Sequence, residues 1–131
     1  MQRTEIVKCI KAQVPKLLAI YAFGSRVQGE AGAASDLDLA VLVAGYADAV
    51  QLWEVSGKLA ELAGCEVDLL DMRAASTVMQ CQVLTKGERL WAADHQAAIY
   101  EAAILTDKLE LDSRRAGVLA DIGERGSVYD R

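Results

Sequence analysis

Asp36 and Asp38 stand two residues apart at the head of an apolar run that continues through Leu39, Ala40, Val41 and Leu42. Residues two apart on a strand share a face. Both carboxylates therefore project together, while Leu37 and Leu39 turn the other way. Two neighbouring like charges repel, and each raises the pKa of the other. A divalent cation between them removes that penalty. Hard oxygen ligands suit Mg²⁺, which commonly takes one or two carboxylates together with phosphate oxygens of a substrate. Upstream, Gly24 and Ser25 follow another apolar run. A glycine there lets backbone N–H groups approach a phosphate closely, and the serine hydroxyl donates a further hydrogen bond. A third carboxylate is expected from a later strand. Asp68 is the candidate, because it lies in mid-strand between Val67 and Leu69, whereas Glu66 and Asp71 lie at the strand's ends. Three carboxylates around two metal ions is a layout for in-line phosphoryl or nucleotidyl transfer.

Other polar residues near these positions have plainer readings. Arg26 either binds phosphate or is a solvated surface arginine. Ser35 either contacts the nucleotide or hydrogen-bonds the turn that carries Asp36. Arg73 is expected to pair with Asp71. His95, beside Asp94 at a helix start, reads as exposed, and Trp53 and Trp91 read as core or rim aromatics.

The elements that must position these groups follow from apolar spacing. Residues 5–14 carry Ile6, Val7, Ile10 and Val14 at helical intervals, and Pro15 ends that helix. Leu17–Phe23 reads as a buried strand, 24–35 as a glycine-containing loop, and 37–44 as a second strand. Ala49–Ala63 reads as a helix with Leu52, Trp53, Leu59 and Leu62 on its apolar side and Gly64 just past its end. A strand over 65–71, a short helix over 76–86 with Val78, Met79, Val83 and Leu84 as its apolar residues, and an edge strand over 88–91 come next. Asp94 then caps a long helix reaching residue 115 or 122. Two apolar stripes run along it. One holds Ala98, Ala102, Leu105, Leu109, Ala116 and Leu119; the other holds Ala97, Tyr100, Ile104, Leu111 and Val118 and is the expected partner-docking face. The fold class is α+β, with helices on a small mixed sheet. Residues 1–122 form one domain, and 123–131 a frayed tail.

Composition narrows the function classes. The 131 residues are 53% hydrophobic and 25% charged, which excludes general disorder. The net charge of −5 argues against autonomous binding to DNA or RNA. It leaves room for one nucleotide neutralised locally by a metal. One histidine excludes chemistry that needs two or three imidazoles from this chain. Cys9, Cys65 and Cys81 are an odd number without close pairing, as expected of reduced thiols in the cytoplasm. No apolar run approaches the length of a membrane span, and the first eleven residues lack a signal-peptide core.

Taken together, Gly24-Ser25-Arg26 with Gly29, a ten-residue spacer, Ser35-Asp36-Leu37-Asp38-Leu39 and the later Asp68 resemble the minimal nucleotidyltransferases of the DNA polymerase β superfamily. The resemblance spans residues 17 to about 91. It implies the polymerase β-like fold, a Gly-Ser pair on the triphosphate, two Mg²⁺ ions on Asp36 and Asp38, and Asp68 on the ion that activates the acceptor hydroxyl. The stretch Val67-Asp68-Leu69-Leu70-Asp71-Met72-Arg73 and the later Lys86-Gly87-Glu88-Arg89-Leu90-Trp91 are similar to MntA-type antitoxins. That likeness implies ATP as co-substrate and a HEPN-type ribonuclease toxin as partner, silenced by AMP on a tyrosine. The short stretch after Trp91 leaves little material for an acceptor-binding domain, so a large partner can complete the cleft. Two other readings compete: transfer to a small-molecule hydroxyl, as in aminoglycoside-modifying relatives, and an antitoxin that acts by binding alone.

Overall fold

A computed structural model describes residues 3–24 and 36–125, with side chains to residue 110. The order is α1 (Arg3–Gln13), β1 (Leu17–Phe23), β2 (Leu37–Val43), α2 (Ala49–Ala63), β3 (Val67–Asp71), a 3₁₀ turn (Met72–Ala74), α3 (Thr77–Lys86), β4 (Glu88–Ala92) and α4 (Gln96–Arg125). The four strands form one mixed sheet in the order β3-β2-β1-β4. β2 is antiparallel to β1 and parallel to β3, and β4 is antiparallel to β1.

β1 is buried on both faces, which is why its sequence is a continuous apolar run rather than an alternating one. One face packs Ile20, Leu39 and Val41 against Ile6 and Ile10 of α1 and Leu52, Val55 and Leu59 of α2. The opposite face packs Tyr21, Ala40 and Leu42 against Met72, Val83 of α3 and Ala97 of α4. All three cysteines are at least partly buried within this packing.

Local chemistry sets the boundaries. Asp48 caps α2 through Val50 N, 2.9 Å from its Oδ1. Such a cap stabilises a helix by about 1 kcal/mol. Gly64 ends α2 at φ 71°, a left-handed conformation that glycine adopts without a Cβ clash. Ser76 caps α3 through Met79 N. Asp94 accepts a hydrogen bond from Gln96 N at 2.9 Å, and His95 beside it is exposed.

Several side chains depart from the expectations drawn from spacing. Trp53 is 77% exposed, and Leu62 also faces water. The buried stripe of α2 is Leu52, Val55 and Leu59, and Trp53 lies one residue, or about 100°, off it. Val78 is exposed, whereas α3 buries Gln80. The Gln80 amide is satisfied by donating to Met72 O and the Tyr100 hydroxyl, so apolar periodicity could not reveal it. Arg73 does not pair its side chain with Asp71. Its Nε donates to Val43 O at 2.8 Å, and its guanidinium lies 4.9 Å from the Tyr100 ring centre. The Arg73 backbone N–H is what meets Asp71.

α4 is 30 residues long, about 45 Å. Its first turns hold it to the body. Ala97 is buried, and Glu101 accepts from the Tyr21 hydroxyl at 2.8 Å and from Arg89 at 2.9 Å. Burial and that bond push the Tyr21 hydroxyl pKa far above its usual value, so it stays a donor. Ala97 and Tyr100 of the expected docking stripe pack onto the body and Ile104 is half-buried, whereas Ala98, Ala102, Leu105 and Leu109, with Ile99 beside them, are exposed. The Leu111 and Val118 side chains and the tail beyond Arg125 lie outside the described residues.

Candidate active site

The Asp36–Asp38 pair sits where β2 begins, next to the end of β1. The antiparallel register places Phe23 opposite Asp38, so Gly24 lies directly beside the Asp38 side chain. Gly24 has φ 86°, and a Cβ built there would overlap the Asp38 carboxylate. Glycine is thus required twice, by its backbone conformation and by the space Asp38 takes.

The parallel register of β2 and β3 pairs Asp38 with Asp68. Asp38 is half-buried, while Asp36 and Asp68 are exposed. The Asp38 carboxyl is pushed above the usual carboxylate range, first by burial, then by the charge of Asp68 and a hydrogen bond shared with it, and last by the charge of Asp36. This is the signature of carboxylates held together against repulsion. Among the described residues, no three His, Cys, Asp or Glu side chains are grouped closely enough to hold one metal ion. The arrangement is therefore a facing pair, Asp38 and Asp68, with Asp36 near enough to bias it. A repelling pair of carboxylates, one half-buried and one exposed, fits a hard divalent cation, which would relieve the penalty seen at Asp38.

Asp71 has another task. Its Oδ2 accepts from Ala47 N at 2.9 Å and its Oδ1 from Arg73 N at 3.0 Å. It braces the loop before α2 against the end of β3, and both its oxygens are engaged away from the Asp38–Asp68 pair. Ser25, Arg26 and Ser35 lie outside the described residues. Spacing alone passed over Tyr21 as an anchor of α4. The available signal was a tyrosine inside a buried strand, whose hydroxyl needs a partner.

Residues 4–96 match the family model described as polymerase beta, nucleotidyltransferase. The chain belongs to this nucleotidyltransferase family. It is 35% identical over 122 residues to the protein adenylyltransferase MntA of Shewanella oneidensis, covering 93% of this chain and 88% of that protein. This nucleotidyltransferase is also similar to a solved structure of a toxin–antitoxin with AMP-PNP, with a TM-score of 0.80 and 35% identity over 93% of this chain and 98% of the other. A structure of tri-AMPylated Shewanella oneidensis HEPN toxin with MNT antitoxin aligns at a TM-score of 0.73 and 33% identity, covering 92% and 94% of the two chains. Among the described residues of the nucleotidyltransferase, no helix is long and apolar enough to cross a membrane.

Proposed function

We propose that this nucleotidyltransferase is a protein adenylyltransferase and the antitoxin of a type VII-like toxin–antitoxin pair. It moves AMP from ATP to a tyrosine hydroxyl of a HEPN-type ribonuclease in the cytoplasm and so silences that partner. The observation that carries the reading is the in-register Asp38–Asp68 pair on a scaffold that matches adenylyltransferase MntA over most of both chains.

The residues divide the work by position. Gly24 and Ser25 hold the β- and γ-phosphates that leave as pyrophosphate, with Arg26 and Ser35 as further nucleotide contacts. Asp36, Asp38 and Asp68 would hold two Mg²⁺ ions, which when bound neutralise phosphate charge and ease loss of the acceptor proton. Asp68, on the outermost of the site's strands, faces the acceptor and takes the tyrosine proton as the tyrosine O–P bond forms and the α,β-phosphoanhydride bond breaks. Most of the rate gain comes from positioning and charge stabilisation.

Intact-mass spectrometry of a HEPN-type ribonuclease co-expressed with this chain tests the proposal. The expected result is a gain of one or more AMP units on tyrosine, only with ATP and Mg²⁺ present. A mass gain on an aminoglycoside with none on the protein would instead establish a small-molecule enzyme. Neutralisation of the partner without any mass gain would establish an antitoxin that acts by binding alone.

The solvent-facing stripe of α4 supplies a second test. Leu109 is 69% exposed, and Leu105 and Ile99 are open beside it. Replacing both Leu105 and Leu109 by Glu is expected to weaken partner binding by roughly tenfold or more, as for loss of apolar anchors. ATP binding should be untouched. Unchanged partner affinity in a pull-down or titration would place docking elsewhere on the chain.

A further inference from the structure

We propose that the open edge of β3, walled by Trp53 and Tyr46, receives an extended hydroxyl-bearing segment of the protein acceptor. The inference rests on the adenylyltransferase reading and adds the side from which the acceptor enters.

Among the described residues, β3 is a terminal strand of the sheet, with β2 on one side only. Leu37 N donates to Glu66 O at 2.9 Å. Along a strand in a parallel pair, alternate residues direct their backbone groups to alternate sides. Residues 66, 68 and 70 therefore serve β2, and the N–H and C=O groups of Val67 and Leu69 point outward. A cleft of about 460 Å³ runs along this edge, lined by Tyr46, Trp53, Ser56, Val67, Asp68 and Ala74 among others. Trp53 and Tyr46 are 77% and 75% exposed. Two large rings left in water and lining one cleft form a contiguous grip rather than scattered surface apolar area. The other terminal strand differs. On β4, Glu88 is ion-paired to Arg3 at 2.8 Å and Arg89 to Glu101 at 2.9 Å, and charges of this kind guard a sheet edge against added strands.

The occupant follows from position and charge. A strand added to this edge would lie about 4.8 Å from β3. It would run alongside Asp68, the residue opposite Asp38. A hydroxyl at that level reaches the carboxylate pair from the side away from β1 and Gly24, where the phosphates are proposed to sit. Outward backbone donors and acceptors flanked by aromatic walls match an extended protein segment, by strand addition. Glu66, Asp68 and Asp71 along the strand, with Glu54 on α2 beside it, disfavour a free triphosphate and favour a neutral or basic segment.

Steady-state AMP transfer to a co-expressed HEPN-type protein provides the test, with ATP and acceptor varied separately. Trp53→Ala and Tyr46→Ala are each expected to raise the acceptor KM by roughly tenfold, with kcat and the ATP KM unchanged. Trp53→Phe should recover most of the loss. Tyr46, on a separate loop, reads the same edge should the Trp53 variant lose its fold. An unchanged acceptor KM in the folded variants overturns the assignment, and so does a raised ATP KM in its place, which would put the nucleotide base there. The unsubstituted chain separates the two levels. If it transfers no AMP, the adenylyltransferase reading falls and this one with it. If it transfers AMP and the variants match it, only the edge assignment falls.

Discussion

Asp38→Asn is expected to cut nucleotide transfer by a factor on the order of 10³ or more and, in metal-free buffer at neutral pH, to raise the melting temperature. The activity loss follows from removing one of the two facing carboxylates, a charge aimed at the reacting centre. The stability gain follows from the direction of the Asp38 shift. Its carboxyl is raised in the folded chain by burial, Asp68 and Asp36. The folded state therefore binds more protons than the unfolded state just above the ordinary carboxylate pKa. Stability falls as pH rises through the window between that ordinary value and the raised one, and the deficit persists at neutral pH. Asn carries no such deficit. The advantage of the variant should vanish below the window, where Asp38 is protonated in both states. Added Mg²⁺ should raise the melting temperature of the unsubstituted chain and leave that of the variant nearly unchanged. Asp36→Asn should also abolish transfer. Calorimetry across pH with a labelled-ATP assay reads both effects. Full transfer by either variant, or in EDTA, would defeat the metal-dependent scheme.

Gly24→Ala should be almost as damaging although it alters no charge. The added Cβ would overlap the Asp38 carboxylate, and alanine is strained at φ 86°. The strain costs about 1–2 kcal/mol. Displacing Asp38 by even an ångström is enough to lower transfer by about 10²-fold. Transfer kinetics and thermal melts on the same sample give the measurement. The expected pattern is a large fall in kcat with a modest fall in melting temperature. Full activity with alanine at this position would show that the position of Asp38 does not matter to the reaction.

Much of this arrangement is written in local spacing. The limits of β1 and α2 are the expected ones because a run of apolar residues and a capping aspartate with a terminal glycine are local signals. Asp38 lies on β2 and Asp36 immediately before it, so the run of apolar residues that marks the strand also marks the place of both acids. Asp68 stands apart from Asp71 by its place within the strand. Asp71's two backbone hydrogen bonds, at the strand's end, give that distinction its physical meaning.

What local spacing could not supply is the relation between distant segments. That β3 runs parallel to β2 in the register that sets Asp68 opposite Asp38 depends on the crossover through α2, and so does the raised pKa of Asp38. The exposure of Trp53 turns on a rotation of about 100° from the buried stripe of α2, which composition around it does not reveal. Arg73 has an acidic neighbour at Asp71, yet its guanidinium goes to Val43 O and Tyr100, because folding brings a strand end and α4 within its reach. Both apolar stripes of α4 are visible in the sequence, but only the anchoring of Ala97, Tyr100 and Glu101 against β1 and α3 decides which one is left to water. Periodicity specifies which side chains share a face. Which face is buried is a property of the neighbours that the tertiary fold brings to it.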